Sequence, residues 1–221
     1  LNTEIISCDS RQFFQEMRIG TAVPSSEELD SVPHHFMQHI SIHQEYNVGS
    51  FEKESLKKLE ELFQTKQHAI LLGGSGLYID AVCKGLDNFP DIKRELREKI
   101  RTNYNKKGLA WLQQEVQKND PEYYQIVDTQ NAHRLLRCLE VCLQIRKTFT
   151  SFRKNNTKTR PFNINYIGLQ IPREELYLRI NQRVDKMMQE GLLEEAKALL
   201  PHQHLNALQT VGYREIFAHL N

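Results

Sequence analysis

The sequence predicts an α/β fold, a parallel sheet that carries a helical insertion. Three observations predict it. The apolar run Ala69-Ile70-Leu71-Leu72 leads into Gly73-Gly74-Ser75-Gly76, and Tyr78, Ala81 and Val82 then follow at helical spacing. That order is strand, tight turn, helix. A second run, Glu4-Ile5-Ile6-Ser7-Cys8-Asp9, reads as a strand ending in a carboxylate. From Asp91 to about Thr148 the chain is charged and helical in period, with no convincing strand.

The chain of 221 residues suits one sizeable core with room for a smaller unit. Hydrophobic residues make up 39% and charged residues 26%, as in a soluble globular protein. No apolar run has the length to span a bilayer, and the start carries no signal-peptide pattern. The cysteines, Cys8, Cys83, Cys138 and Cys142, form no Cys-x-x-Cys pair, so buried thiols in a reducing compartment are expected rather than a metal site. The net charge of +1 does not mark the whole chain as a nucleic-acid binder. Between Arg134 and Arg160, however, eight Lys/Arg face a single acidic residue, Glu140. Such a patch steers a polyanion even when the total charge is near zero.

In chain order, Asp9 stands where parallel α/β proteins place their ligands, at the C-terminal end of a strand. The other reading is a cap on its own loop, and the polar Ser10, Arg11 and Gln12 beside it favour the functional one. Ser25-Ser26-Glu27-Glu28 is a capped helix start, ended by Pro33. The clustered His34, His35, His39 and His43 lack the acidic or thiolate company of a zinc site and are expected to be satisfied or exposed in an irregular segment. Phe51, Leu56, Leu59, Leu62 and Phe63 share a helical face. The Gly73–Gly76 turn suits an anion, because glycine exposes backbone N–H groups and the following helix start adds free donors and a positive dipole end. A Gly-rich turn also serves close packing, and this spacing is neither the dinucleotide nor the Gly-Lys-Ser/Thr fingerprint.

The segment after Pro90 offers helical faces at Ile92, Leu96 and Ile100, at Leu109 to Val116, and at Leu135 to Ile145. Arg134 and Arg137, three apart, share a side. Phe149 to Arg160 is a basic link with aromatic residues, either a solvated loop or a phosphate-backbone contact. Ile164 to Leu169 returns to strand, Pro172 starts a helix carrying Arg179 and Arg183, and another helix runs to Leu200. The expected organisation is an α/β core over 1–90, a helical insertion over 91–148, and a return to the core with C-terminal helices over 149–221.

The motifs are specific in combination. Asp9-Ser10-Arg11-Gln12 with Ile19-Gly20-Thr21-Ala22, Val32-Pro33-His34-His35, Gly73 to Tyr78, Arg134 to Val141, Arg179 to Met187, and Gln209-Thr210-Val211-Gly212-Tyr213 occur in order over essentially the whole chain. Together they resemble the tRNA dimethylallyltransferases. The resemblance implies a P-loop-type α/β core whose helical insertion grips the anticodon stem-loop. It implies transfer of a dimethylallyl group from its diphosphate to N6 of adenosine 37, with magnesium beside the diphosphate.

Carried over by position, Asp9 is the implied general base, Arg183 holds the leaving diphosphate, and Ser75 stands where the family usually has threonine. Ser10, Arg11, Gln12, Gly73, Gly74, Gly76, Tyr78 and Arg179 are implied substrate contacts. His133, Arg134, Leu135, Leu136, Arg137, Arg153 and Lys154 are implied tRNA contacts, with His133 in place of a frequent glutamine. Phe14 replaces a common tyrosine and keeps its stacking surface. The implied setting is a cytoplasmic monomer.

The family's Gly-rich loop ending in Gly-Lys-Ser/Thr and its C-terminal basic helix are not among these residues. The chain is therefore expected to be a fragment or a degenerate copy that binds diphosphate poorly by itself. Two other classes remain: another P-loop enzyme such as a nucleotide kinase with a helical lid, and a non-catalytic RNA-binding protein that keeps only the basic insertion.

Overall fold

The computed structural model describes residues 1–153 and 157–221, so Lys154 lies outside the described residues. The chain forms two compact units: Leu1–Lys84 with Thr159–Asn221, and Gly85–Lys158. The unit edges thus fall at 84/85 and 158/159, where the sequence placed boundaries at 90/91 and 148/149.

In the first unit, β1 (Ile5–Ser7) lies between β2 (His34–His35) and β3 (Ile70–Leu72), and both pairings are parallel. Ile6 and Cys8 are fully buried, so the short apolar run forms the sheet centre. The edge strand β2 corrects the irregular segment expected there. Two histidines carry no strand pattern, and pairing with Ile5 and Ile6 creates the strand. His35 Nε2 meets Glu4 Oε2 at 2.6 Å and His34 Nδ1 meets the Val32 carbonyl at 2.7 Å.

Helix α1 (Ser26–Ser31) starts at Ser25 with the expected capping box to Glu28. Helix α2 (Val48–Phe63) is capped by Asn47, whose side chain accepts from Gly49 and Ser50 N–H. It buries Phe51, Leu59 and Leu62. Helix α3 (Gly76–Lys84) begins within the glycine motif and buries Ala81, Val82 and Cys83.

Phe13, Phe51, Ile6 and Val82 make one core beneath the sheet. Phe14, Met17, Ile42, Ala196, Leu208, Tyr213 and Phe217 make another. Phe14 is only 8% exposed, so its ring packs inside and offers no stacking surface, contrary to expectation.

The Ile164–Leu169 strand is absent among the described residues. Ile167 is 88% and Leu169 95% exposed. A strand requires a ladder of partners, and none of the described strands pairs with this segment. Helix α7 (Arg173–Gln189) follows with no buried residue. Then come α8 (Leu192–Leu199) and α9 (Tyr213–Leu220), which contact one another. Arg160, part of the basic link by sequence, is an internal strut. Its guanidinium donates to Glu52 at 2.8 Å and to the Ala81 and Val82 carbonyls at 2.7 and 2.8 Å.

The second unit is helical. It holds α4 (Arg94–Asn119, broken at Gly108 with φ 76°), α5 (Pro121–Ile126) and α6 (Ala132–Ile145). Ile100, Leu112, Val116, Leu135, Leu139 and Phe149 form its core. Buried Asp120 caps α5 through Tyr123 N–H and accepts from Thr150 N–H at 2.7 Å. The cysteines are free and buried. No described helix is long and apolar enough to cross a membrane.

Candidate functional site

The sheet places a polar loop beside a glycine turn. Asp9 follows β1, and its Oδ1 accepts from Arg11 N–H at 2.9 Å. Its carbonyl accepts from Gln12 N–H at 3.1 Å. One carboxylate oxygen therefore caps the turn, and Oδ2 has no hydrogen-bond partner among the described residues. Gly73 approaches this turn so closely that a Cβ would lie 2.6 Å from the Cys8 carbonyl carbon and 2.7 Å from Asp9 N. Ser75 Oγ accepts from Ser10 N–H and donates to Ser10 Oγ, both at 3.0 Å. The space beside Gly74 and Gly76 is open.

Gln12 is locked. Its Nε2 donates to the carbonyls of Thr21 and Ala22, each at 3.0 Å. Two carbonyls can be met only by the amide nitrogen, so the orientation is set. Its Oε1 accepts from Ser7 Oγ at 3.4 Å, and Gln12 lines a cleft of about 190 Å³ together with Asp9, Pro24, His34, Met37 and Gly73. The cleft thus presents two acceptors, the Asp9 carboxylate and the Gln12 carbonyl oxygen.

Other implied contacts are used differently. Arg11 donates to the Asn206 and Ala207 carbonyls at 2.8 and 2.9 Å, which ties it to the segment before α9. The Tyr78 ring packs against Phe13 and Phe51, with centroids 5.5 and 5.2 Å apart. Burial pushes the Cys8 thiol up to about 12, so it is inert at neutral pH. Arg179 pairs with Glu175 at 2.5 Å, Arg183 is exposed, and neither lines the cleft.

In the second unit His133 and Arg134 are exposed at the start of α6, Leu136 is half-buried, and Leu135 is fully buried, so Leu135 is a core residue. Arg137 sits over the Phe89 ring at 5.6 Å and faces Glu140 at 3.9 Å. Arg153 lies over Tyr123 at 5.4 Å. A larger cleft of about 490 Å³ in this unit is lined by Asp87, Asn88, Lys147, Ser151, Phe152 and Lys158. It lies in the helical unit, apart from the strand ends and the glycine turn.

Sequence reasoning missed Glu195 on α8. Its Oε2 accepts from Arg18 and Ile19 N–H at 3.0 and 2.9 Å, and its Oε1 from Gly20 N–H at 3.0 Å and the Tyr213 hydroxyl at 2.5 Å. Burial and the Glu195 carboxylate push the Tyr213 hydroxyl up, so it remains a donor. No local pattern announces a bond across such a sequence distance.

The fold and the cleft define an α/β protein that holds a carboxylate and a polar glycine turn together at the C-terminal ends of parallel strands. Within that class the chain belongs to the IPP transferase family, whose model matches residues 12–221. It is 55% identical to the tRNA dimethylallyltransferase of Flavobacterium psychrophilum, over 98% of this chain and 73% of the relative. Against the full-length tRNA isopentenylpyrophosphate transferase structure from Bacillus halodurans the TM-score is 0.65 at 31% identity, covering 100% of this chain and 69% of that one. A eukaryotic dimethylallyltransferase structure shares the fold, with a TM-score of 0.74 at 22% identity over 99% of this chain and 57% of that one.

Proposed function

We propose that the chain transfers a dimethylallyl group from dimethylallyl diphosphate to N6 of adenosine 37 in tRNA. The observation that carries this reading is the pair of acceptors in the cleft, Asp9 Oδ2 and Gln12 Oε1, in a chain of this family. An exocyclic amine offers two N–H donors, and a carbonyl oxygen in its place would face only acceptors.

As N6 attacks, the new N–C bond forms at the allylic carbon while the C–O bond breaks. The diphosphate leaves with the bonding pair. The nitrogen becomes cationic, and Asp9 stabilises that charge and then takes the proton. Ser10 and Ser75 hydroxyls supply polar contacts, and Arg183, exposed on α7 outside the cleft, is left to supply positive charge for the diphosphate. The adenine must leave its stack to reach Asp9. His133, Arg134, Arg137 and Arg153 would hold the stem-loop by its phosphates.

Magnesium fits here only as a companion of the diphosphate. Among the described residues one group of three potential ligands exists, Asp120 with Cys138 and Cys142, and its buried sulfurs do not suit that ion. Beside β1 the Asp9 carboxylate and the Ser10 and Ser75 hydroxyls are the oxygen donors, so phosphate oxygens and water would complete the shell. The ion would offset the negative charge that grows on the leaving group. A monomer in the cytoplasm is part of the same proposal.

The test is transfer of radiolabelled dimethylallyl diphosphate to unmodified tRNA. Label in tRNA is expected with the chain extended at both ends by its neighbouring gene sequence, reduced by about 10²- to 10⁴-fold in Asp9→Ala of the same protein. Equal transfer by both proteins would remove Asp9 from the chemistry. No transfer alongside salt-sensitive tRNA binding would favour a binding-only protein.

A further inference from the structure

We infer that Glu195 is a positioning residue for the base-reading amide of Gln12, an inference that rests on the role proposed above for the cleft. The route is continuous within one unit. Glu195 gathers the backbone N–H groups of Arg18, Ile19 and Gly20 onto one carboxylate. The next residues, Thr21 and Ala22, supply the carbonyls that hold Gln12 Nε2. Ala22 sits at φ 52°, a left-handed conformation uncommon for a residue with a Cβ. That turn lets two successive carbonyls meet one amide, and the clamp immediately upstream offsets its cost.

The Tyr213 hydroxyl fixes the carboxylate from the other side. With Nε2 spent on Thr21 and Ala22, Oε1 is what the Gln12 amide has left to offer at the cleft that Gln12 lines. If the loop is released, the amide is free to turn its NH₂ inward. The site then keeps the Asp9 acceptor but loses the Gln12 share of its preference for a donor. Glu195 touches no substrate in this scheme; it acts on specificity through the loop.

The substitution Glu195→Gln tests this. It keeps one acceptor but points an NH₂ group at N–H donors. Two anticodon stem-loops serve as probes, one with adenine at the target position and one with purine, which lacks the exocyclic amine. Wild-type protein is expected to bind the adenine loop about tenfold more tightly, the value of one good hydrogen bond to a half-buried acceptor. In Glu195→Gln the ratio is expected to fall to within about twofold, and Glu195→Asp, which keeps the carboxylate, to restore part of it.

A purely structural role would weaken both affinities together through the folded fraction and leave the ratio unchanged, which would overturn the inference. Should Glu195→Gln not fold, Tyr213→Phe is read instead: a lowered ratio supports the inference and an unchanged one overturns it. Equal wild-type affinity for the two loops would overturn the base-reading role itself. A wild-type preference that survives Glu195→Gln would overturn only the link through Glu195.

Discussion

The Tyr213 ring lies directly on Gly20. A Cβ at Gly20 would fall 2.5 Å from Tyr213 Cζ and 2.6 Å from its hydroxyl oxygen. Tyr213 is fully buried, so the ring cannot swing away. Gly20→Ala is therefore expected to cost about 1–3 kcal/mol through overpacking. Urea melts would show it. In a Tyr213→Leu background the cost of Gly20→Ala should shrink, and equal costs in both backgrounds would refute the contact as its cause.

His39 gives a pH prediction. Both ring nitrogens are buried without a hydrogen-bond partner among the described residues, beside Phe13, Phe36 and Tyr46. Burial lowers its pKa, with the nearby Glu54 carboxylate opposing. The unfolded chain then binds the proton more readily than the folded one. Stability is kept above the unfolded value of about 6.5 and falls as the pH drops through it, levelling only below the folded pKa. His39→Leu should be neutral or stabilising at about pH 8, since it removes two unpaired polar atoms. It should also lose less Tm on acidification to about pH 5 than wild type. Parallel Tm profiles for the two proteins would count against this assignment.

The arginines of α6 should separate by function. Arg134 is exposed, whereas Arg137 stacks on Phe89 and faces buried Glu140, which Arg97 also approaches at 3.6 Å. Arg134→Ala is expected to weaken tRNA binding across sequences and to reduce the salt slope by about one, with Tm unchanged. Arg137→Ala should lower Tm as well, because a cation is removed from a half-buried cluster. Salt titrations and melts on both variants decide it. An unchanged salt slope in Arg134→Ala would remove that residue from the phosphate contacts.

Much of the frame is legible in local pattern. The Ile5–Ser7 strand shows as an apolar run ending at Asp9, and α2 shows through its apolar face. The Ser25–Glu28 box marks α1 because a cap is a contact between residues three apart. Less legible were residues whose motif membership hid a packing role. Tyr78 and Leu135 belong to matched motifs, yet their side chains fill cores. Ile164–Leu169 has the side chains of a strand but pairs with none of the described strands.

By itself the sequence determined the parallel α/β core, the Asp9 carboxylate at a strand end, the Ser75 turn and the family. These rest on interactions between near neighbours and on the order of short motifs. Only the tertiary structure decided what each polar group does. It gave one oxygen of Asp9 to the turn and left the other without a bond among the described residues. It spent Arg11 on the Asn206 and Ala207 carbonyls and Arg160 on Glu52. It also brought Glu195 to the 18–20 backbone. A buried donor or acceptor must find a partner wherever the folded chain supplies one, and that partner has no fixed distance along the sequence.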